Sequence, residues 1–234
     1  MIKLINGNCI ETLRRIPDKS VDLILTDLPY GTTRNKWDTI IPLGALWAEW
    51  KRVLRHDRTV ALHSDMPFTV TLYQSNPKWW KYEWIWEKPN GTNFLGCRKH
   101  PLKNHETIQI FQNGKTRYFP QYGIGKPYQS GGAKKQSENY GFFHTIPSSS
   151  DGRRYPKSVL YQKRDSSRLH PTQKPVDLER YIIRTYTEEG ETVLDCCMGS
   201  GTAGVAAKLE KRSFIGIELQ KEYFDIAKQR IEEA

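Results

Sequence analysis

The stretch Thr192–Ala207, TVLDCCMGSGTAGVAA, reads as a buried strand, a tight glycine turn and a helix of small residues. Its place in the chain constrains the fold more than any other feature. The strand before such a turn is normally central in a parallel sheet, because the helix that follows packs back over it. The chain after Gly204 has room for only one more strand and two helices. The remaining neighbours of the central strand must therefore come from the N-terminal half, so the sheet is circularly ordered with its ligand turn last.

Seven short apolar segments supply the strands: residues 2–5, 21–26, 59–63, 82–86, 106–111, 192–196 and 213–219. Several, such as VDLIL and TVAL, are near-continuous in Val, Ile and Leu, as strands covered on both faces should be. Helices are predicted over 43–54, 68–74, 175–187, 202–209 and 221–231, the last with Tyr223, Ala227 and Ile231 on one apolar face. The expected fold is an α/β three-layer, Rossmann-like domain with a seven-stranded, mostly parallel sheet. It spans 1–234 as one domain, with an insertion at 113–168.

Charge is unevenly placed. The chain carries 36 Lys and Arg against 26 Asp and Glu, a formal charge of +10. Residues 98–168 alone hold 14 basic and 4 acidic residues, and the remainder is balanced. Aromatics (Tyr118, Phe119, Tyr122, Tyr128, Tyr140, Phe142, Phe143, Tyr155, Tyr161) and Gly, Pro and Ser interleave these charges, as in GIGKPYQSGGAKKQ. Basic, aromatic-bearing loops on a neutral scaffold suit a polyanion, with Lys126, Lys134, Lys135, Arg153 and Arg154 the candidates in this segment. Arg34, Lys88 and Asn90 are further candidates for nucleic-acid contact. The alternative is a solvated insertion whose charge only aids solubility.

Other classes are disfavoured. Cys9, Cys97, Cys196 and Cys197 lack the spacing of a zinc site, a redox pair or a disulfide framework. His63, His100, His105, His144 and His170 are scattered, so no metal is expected. No segment approaches the roughly 20 apolar residues of a membrane span, and the start MIKLINGNCI does not read as a signal peptide. A soluble, cytoplasmic protein is expected, with no membrane partner.

Gly199 and Gly201 permit positive φ or close approach of a ligand, and Thr202 opens the helix. Glu218 ends the next strand, placed to accept both hydroxyls of a ribose. Gly199, Gly201 and Gly204 also satisfy G-x-G-x-x-G, so locally a dinucleotide fits nearly as well as S-adenosylmethionine. Chain order favours the latter, since a nicotinamide enzyme usually opens with this unit.

A second constellation, VDLILTDLPYG, sets Asp27, Pro29 and Tyr30 just after a buried strand. An acid, a main-chain carbonyl fixed beside a proline and an exposed ring suit one task, holding a flipped base by its exocyclic amine. That nitrogen's lone pair is delocalised into the ring. Two acceptors binding its hydrogens favour a pyramidal nitrogen, while Tyr30 stacks on the base. A capped strand end is the alternative.

Together these motifs resemble the beta group of DNA amino-methyltransferases, over nearly the whole chain. DLPY is similar to that family's D-P-P-Y, DCCMGSGT to its cofactor motif and Glu218 to its ribose-binding acid. RLHPTQKP (168–175) resembles the segment that walls the methionine end of the cofactor. IWEKPNG and NHETIQIF resemble strands flanking the base pocket, and GNCIETL a segment touching the cofactor adenine. Leu28 stands where the family usually has Pro, and Asn8 where it has Asp.

The resemblance implies S-adenosylmethionine as cofactor, held by Asn8, Cys9, Asp27, His170, Thr172, Lys174, Asp195, Met198, Gly199, Ser200, Gly201, Thr202, Glu218 and Leu219. It implies methylation of adenine N6 in double-stranded DNA at a specific sequence, with residues 113–168 recognising the target. It also implies a homodimer, with Trp79–Trp86 as the candidate surface, and a cognate restriction endonuclease in the same host. Cytosine-N4 or RNA methylation, a non-catalytic nucleic-acid-binding relative and a nicotinamide oxidoreductase are the alternatives.

Overall fold

The computed structural model describes residues 1–31, 38–115, 117–131, 133–137, 139, 141–145, 148–165 and 173–234, with the backbone alone at 133–137 and 143–145. Arg34, His170 and Thr172 lie outside the described residues, as do the side chains of Lys134 and Lys135.

In chain order the elements are β1 (Ile2–Asn6), α1 (Cys9–Leu13), β2 (Val21–Thr26), α2 (Leu43–Val53), β3 (Leu54–Ser64), α3 (Phe68–Ser75), β4 (Trp80–Thr92) and β5 (Lys103–Gln112). Six short strands follow: β6 (Gly123–Ile124), β7 (Tyr128–Ser130), β8 (Ala133–Ser137), β9 (Gly141–Thr145), β10 (Ser148–Ser150) and β11 (Arg153–Arg154). The chain then forms β12 (Val159–Tyr161), α4 (Val176–Tyr186), β13 (Thr192–Asp195), α5 (Thr202–Leu209), β14 (Ser213–Glu218) and α6 (Lys221–Glu233). Two compact units result, one of residues 1–119 and 158–234, the other of residues 120–157.

The larger unit is built on one sheet of order β1-β14-β13-β2-β3-β5-β4-β12. The strands from β1 to β3 run parallel, β5 is antiparallel to both its neighbours, and β12 pairs parallel with β4. The seven expected strands are joined at one edge by an eighth, β12. Three residues with one half-buried side chain give too little periodicity to read from sequence.

Every residue of β2 is buried, and its alternation sorts them between two cores. Ile24 joins Leu46, Trp50, Phe68 and Leu72 on the face covered by α1, α2 and α3. Leu23 and Leu25 join Leu178, Ile182, Ala206 and Ile231 on the face covered by α4, α5 and α6. This is the expected three-layer arrangement. In α4, acidic Asp177 and Glu179 occupy the first turn and Arg184 the last, matching the helix dipole.

The tryptophans of residues 79–86 divide between buried and half-buried positions. Trp84 and Trp86 are 4% and 1% exposed, and their indoles donate inward, to the Tyr186 hydroxyl at 2.7 Å and the Gln162 carbonyl at 2.8 Å. Trp80 donates to Gln109 and Trp79 packs edge-on against Trp47. Trp84 and Trp86 thus serve the core, while Trp79 and Trp80 are half-buried.

The smaller unit pairs β6 with β11, β7 with β10 and β8 with β9, all antiparallel. Its β-strands are two to five residues long among the described residues, as expected of a Gly- and Ser-rich segment.

Helix α5 packs hard because its residues are small. A methyl group on Gly204 would come within 2.3 Å of Ile231 Cδ1 and 2.7 Å of Phe214 Cε1. Alanine would gain about 1 kcal/mol in helix propensity, but overpacking between a sheet ring and α6 costs about 1–3 kcal/mol. Gly204→Ala is therefore expected to lower stability, and urea denaturation of parent and variant measures the difference.

Candidate active site

Strands β2, β3, β13 and β14 are parallel neighbours, so their carboxyl ends share one edge of the sheet, where α/β proteins hold ligands. A cavity of about 640 Å³ opens there within the larger unit. Pairing of Val193 with Leu23 and Leu194 with Ile24 brings together segments far apart in sequence. The Thr26 hydroxyl donates to Asp195 Oδ1 at 2.7 Å, tying the two strand ends.

On the β13–β14 side the three glycines do different work. Gly199 and Gly201 have φ of 51° and 78°, conformations that suit glycine. At Gly201 a Cβ would also meet Ala227 Cβ at 2.8 Å. Gly204 serves packing. The Gly199 N–H donates to Glu218 Oε2 at 2.9 Å and the Gln220 N–H to Oε1 at 2.8 Å. Each carboxylate oxygen keeps capacity for another hydrogen, as two vicinal hydroxyls require. Burial pushes the Glu218 carboxyl up despite these donors. Burial also pushes Asp195 up to about 7, while Thr26 and the Cys197 N–H pull it back.

Cys9, Met198, Ser200, Thr202 and Leu219 line the same cavity. Asn8 lines it too, but its side-chain oxygen caps α1, accepting from the Ile10 and Glu11 N–H groups at 2.9 and 3.2 Å. That use of Asn8, and α1 itself, were not legible in the sequence.

The β2 side carries Asp27, Pro29 and Tyr30. Leu28 is 3% exposed and belongs to the core, so it anchors the loop by burial. Tyr30 donates its hydroxyl to Asp27 Oδ1 at 2.6 Å and stacks on Phe68 with ring centroids 4.9 Å apart. Burial, reinforced by Asp27, raises the Tyr30 phenol well above its ordinary value.

Behind these lies an ionic chain that sequence reasoning missed. Lys174 Nζ sits 2.7 Å from Asp27 Oδ2 and 3.1 Å from Glu106 Oε2, and Lys88 Nζ is 2.8 Å from Glu106 Oε1. Burial works against both charge types. It would raise the Glu106 carboxyl, yet Lys174 and Lys88 hold it at about 2. It would also lower Lys174, yet Asp27 and Glu106 raise that ammonium above an ordinary lysine. Nearby, His63 Nε2 lies 2.8 Å from Glu179 Oε1. Burial would strip this imidazole of its proton, but Glu179 prevails and raises it.

Lys88, expected at the nucleic-acid backbone, is instead 4% exposed and paired within the cavity. Asn90 is exposed on β4. The missed residues had one signal: Lys88, Glu106 and His63 are ionisable side chains at the ends of apolar strands, and these are buried only when paired.

Lining residues with charge decide what the cavity accepts. Among the described residues, seven acidic side chains (Asp27, Asp38, Asp65, Glu106, Glu179, Asp195, Glu218), of which Asp195 is raised to about 7, face Lys88, Arg164, Lys174 and the His63 imidazole that Glu179 favours in its protonated form. That excess repels a pyrophosphate and suits a cofactor bearing a positive sulfonium and ammonium. With Glu218 and the glycine cradle, the residues fit S-adenosylmethionine better than a dinucleotide. Among the described residues no group of three or more His, Cys, Asp or Glu could hold a metal ion, and no helix is long and apolar enough to cross a membrane.

In the smaller unit Arg153 lies over the Tyr122 ring at 5.6 Å and pairs with Asp151 at 2.9 Å. Arg154 lies over Tyr128 at 4.8 Å and donates to Ser150 Oγ at 2.7 Å. Lys126 is exposed.

Comparison with known proteins agrees with this geometry. A family model described as DNA methylase matches residues 21–229. The Type II methyltransferase M2.MboI of Moraxella bovis is 28% identical, the match covering 97% of this chain and 86% of that protein. M.HpaI of Haemophilus parainfluenzae is 26% identical over 98% and 74% of the two chains. Among solved structures, the M1.HpyAVI–SAM complex superposes with a TM-score of 0.68 at 24% identity, covering 99% of each chain. PvuII DNA methyltransferase (cytosine-N4-specific) gives 0.69 at 16% identity, covering 98% and 86%.

The Glu106 environment generates a pH prediction. Its folded value of about 2 lies below the ordinary 4.5, so the ion pairs contribute stability above pH 4.5 that is lost as pH falls toward 2. The shift corresponds to on the order of 3 kcal/mol. Glu106→Gln is expected to flatten the dependence of unfolding free energy on pH between 5 and 2.5, as read by denaturant titrations at each pH.

Proposed function

The chain belongs to the DNA methylase family, and from that premise we propose that it methylates the N6 amine of adenine in double-stranded DNA at a specific sequence. Its cofactor is S-adenosylmethionine and its general activity is DNA methylation. The observation that carries the finer reading is Asp27, an acid rather than a serine opening the tetrapeptide, held on the cavity wall beside Tyr30.

S-adenosylmethionine, when bound, supplies a methyl group on a cationic sulfur. The protein's part is to hold and orient. Glu218 would accept the ribose hydroxyls, the Met198–Gly201 turn would cradle the cofactor, and Asp195 would offer a carboxylate to its cationic end. Asp27 Oδ1 exchanges the Tyr30 hydroxyl for an amine hydrogen, and a main-chain carbonyl beside Pro29 takes the other. The nitrogen lone pair, drawn out of conjugation, is thereby directed at the methyl group, which it would take as the sulfur–methyl bond breaks and its electron pair stays on sulfur as a neutral thioether. The Tyr30 face opposite Phe68 stacks on the extruded base. The proton made acidic by methylation leaves the nitrogen for Asp27 or water.

Exposed Lys126 and Arg153, with the half-buried Arg154, supply phosphate contacts in this reading, together with Lys134 and Lys135. A solvent-exposed ion pair such as Arg153–Asp151 is worth little, so it leaves Arg153 available. A homodimer and a cognate restriction endonuclease in the same host belong to the same proposal, the latter suggested by the Type II names of its relatives.

Asp27→Ala is expected to bind cofactor and DNA as the parent does but to lose at least about 100-fold in single-turnover methyl transfer. Tyr30→Phe, which keeps the ring, should lose less than Tyr30→Ala. The alanine variant should lose on the order of 1–3 kcal/mol in base capture, partly recovered on a mismatched target. The base itself is identified by profiling DNA from a host expressing the protein. N6-methyladenine is expected; N4-methylcytosine, or methylation of RNA alone, overturns the assignment.

Neutralising Arg153 and Arg154 should reduce the slope of log affinity against log salt by as much as about 2 units without changing cofactor affinity. Binding titrations across a salt series check this, and an unchanged slope places the DNA elsewhere.

A further inference from the structure

We propose that Lys174 is a positioning residue for methyl transfer, acting through the carboxylate of Asp27 rather than on the cofactor. The proposal rests on the methyltransferase reading above and assigns Lys174 a task different from the cofactor contact that its sequence motif implied.

Asp27 stands on the loop after β2, and a carboxylate on a short side chain turns readily about its last torsion. Both of its oxygens have partners here. Oδ1 accepts from the Tyr30 hydroxyl at 2.6 Å, and Oδ2 accepts from Lys174 Nζ at 2.7 Å. The base amine can take one of these places only if the other keeps the carboxylate in plane. Tyr30 is the partner that can leave, because its ring has its own support on Phe68. Lys174 is the one that stays, since its ammonium is drawn toward two carboxylates at once, Asp27 and Glu106 at 3.1 Å.

The clamp is anchored in the sheet. Glu106 lies on β5 and Lys88 on β4, antiparallel neighbours with Glu106 opposite Trp86, and Lys88 holds the second oxygen of Glu106 at 2.8 Å. Signs alternate along Asp27, Lys174, Glu106 and Lys88, so the chain of charges is neutral overall, which permits burial. Lys174 is 8% exposed, and its long side chain has no freedom to swing to a ligand without abandoning both acids. Flanked in this way, it stays an ammonium and takes no proton from the substrate. Its contribution is to fix the direction in which Asp27 Oδ1 accepts.

The test compares the parent, Lys174→Met, Lys174→Arg, Asp27→Ala and the double variant Asp27→Ala/Lys174→Met. Each is measured by single-turnover transfer of labelled methyl at saturating cofactor and DNA, and by calorimetric affinity for S-adenosylmethionine. Lys174→Met is expected to slow transfer by about 10- to 100-fold while cofactor affinity changes by less than about twofold. Lys174→Arg, which keeps the cation, should recover part of the rate. In the Asp27→Ala background, loss of Lys174 should cost less than about twofold, because the group it acts through is gone.

Weakened cofactor affinity with an unchanged saturated rate overturns the proposal, and so does full additivity of the two losses. If Lys174→Met does not fold, Lys174→Met/Glu106→Gln removes one charge of each sign, keeps the cluster neutral and must show the same pattern. A parent that transfers no methyl group to DNA overturns the functional reading, and the role of Lys174 in transfer with it. A parent that is active alongside a fully active Lys174→Met overturns this inference alone.

Discussion

The contact on which the site depends is the parallel pairing of β13 with β2, two residue pairs long in the register Val193–Leu23 and Leu194–Ile24. It brings the glycine turn beside the Asp27 loop, and the Thr26–Asp195 hydrogen bond sets how far each strand end reaches into the cavity. Parallel pairing is slightly weaker per residue than antiparallel, so such a junction holds because both faces are buried. Leu23 and Val193 lie in one core and Ile24 and Leu194 in the other. Packing on each face thus fixes a register that two pairs of backbone bonds alone would not.

Burying charge next to that junction is the second constraint. An isolated ammonium or carboxylate inside a protein costs several kcal/mol, and here the cost is offset by arranging the groups in alternation. The arrangement leaves the cavity acidic on balance, in contrast to the basic segment at 98–168. The two polarities suit two partners of opposite charge, a cationic cofactor and a polyanionic substrate. A +10 chain therefore holds an acidic site without contradiction.

The parts of this protein that sequence showed are those governed by local patterning. Strand β2 and helix α5 were plain because continuous Val, Ile and Leu, or a run of small residues after glycine, have few other uses. Glu218 and Asp27 were plain because an acid ending a buried strand has a polar task to perform. Lys174, Glu106, Lys88 and His63 were not legible as a group, because their pairing joins β3, β4, β5 and the segment before α4, and nothing in the neighbourhood of one predicts the others. Asn8 illustrates the converse: a residue matched to a family position proves to have a local use, capping a helix of five residues. In the Trp79–Trp86 stretch aromatic richness alone does not separate core from surface; burial and inward indole hydrogen bonds place Trp84 and Trp86 in the core.

Strand β1 has its sheet partner in β14, with Ile2 opposite Phe214 and Asn6 opposite Glu218. During synthesis β1 must wait, without that neighbour, until β14 emerges. The central strand β2 waits in the same way for β13. Long-range closures of this kind carry their entropy cost before their contacts form. A nascent chain can therefore assemble β3, β4 and β5 early, while the cofactor half has no sheet to join until β13 and β14 emerge. Catalytic competence thus waits on β13 and β14, because the Asp27 loop and the glycine turn share one cavity only once those two strands have closed the sheet.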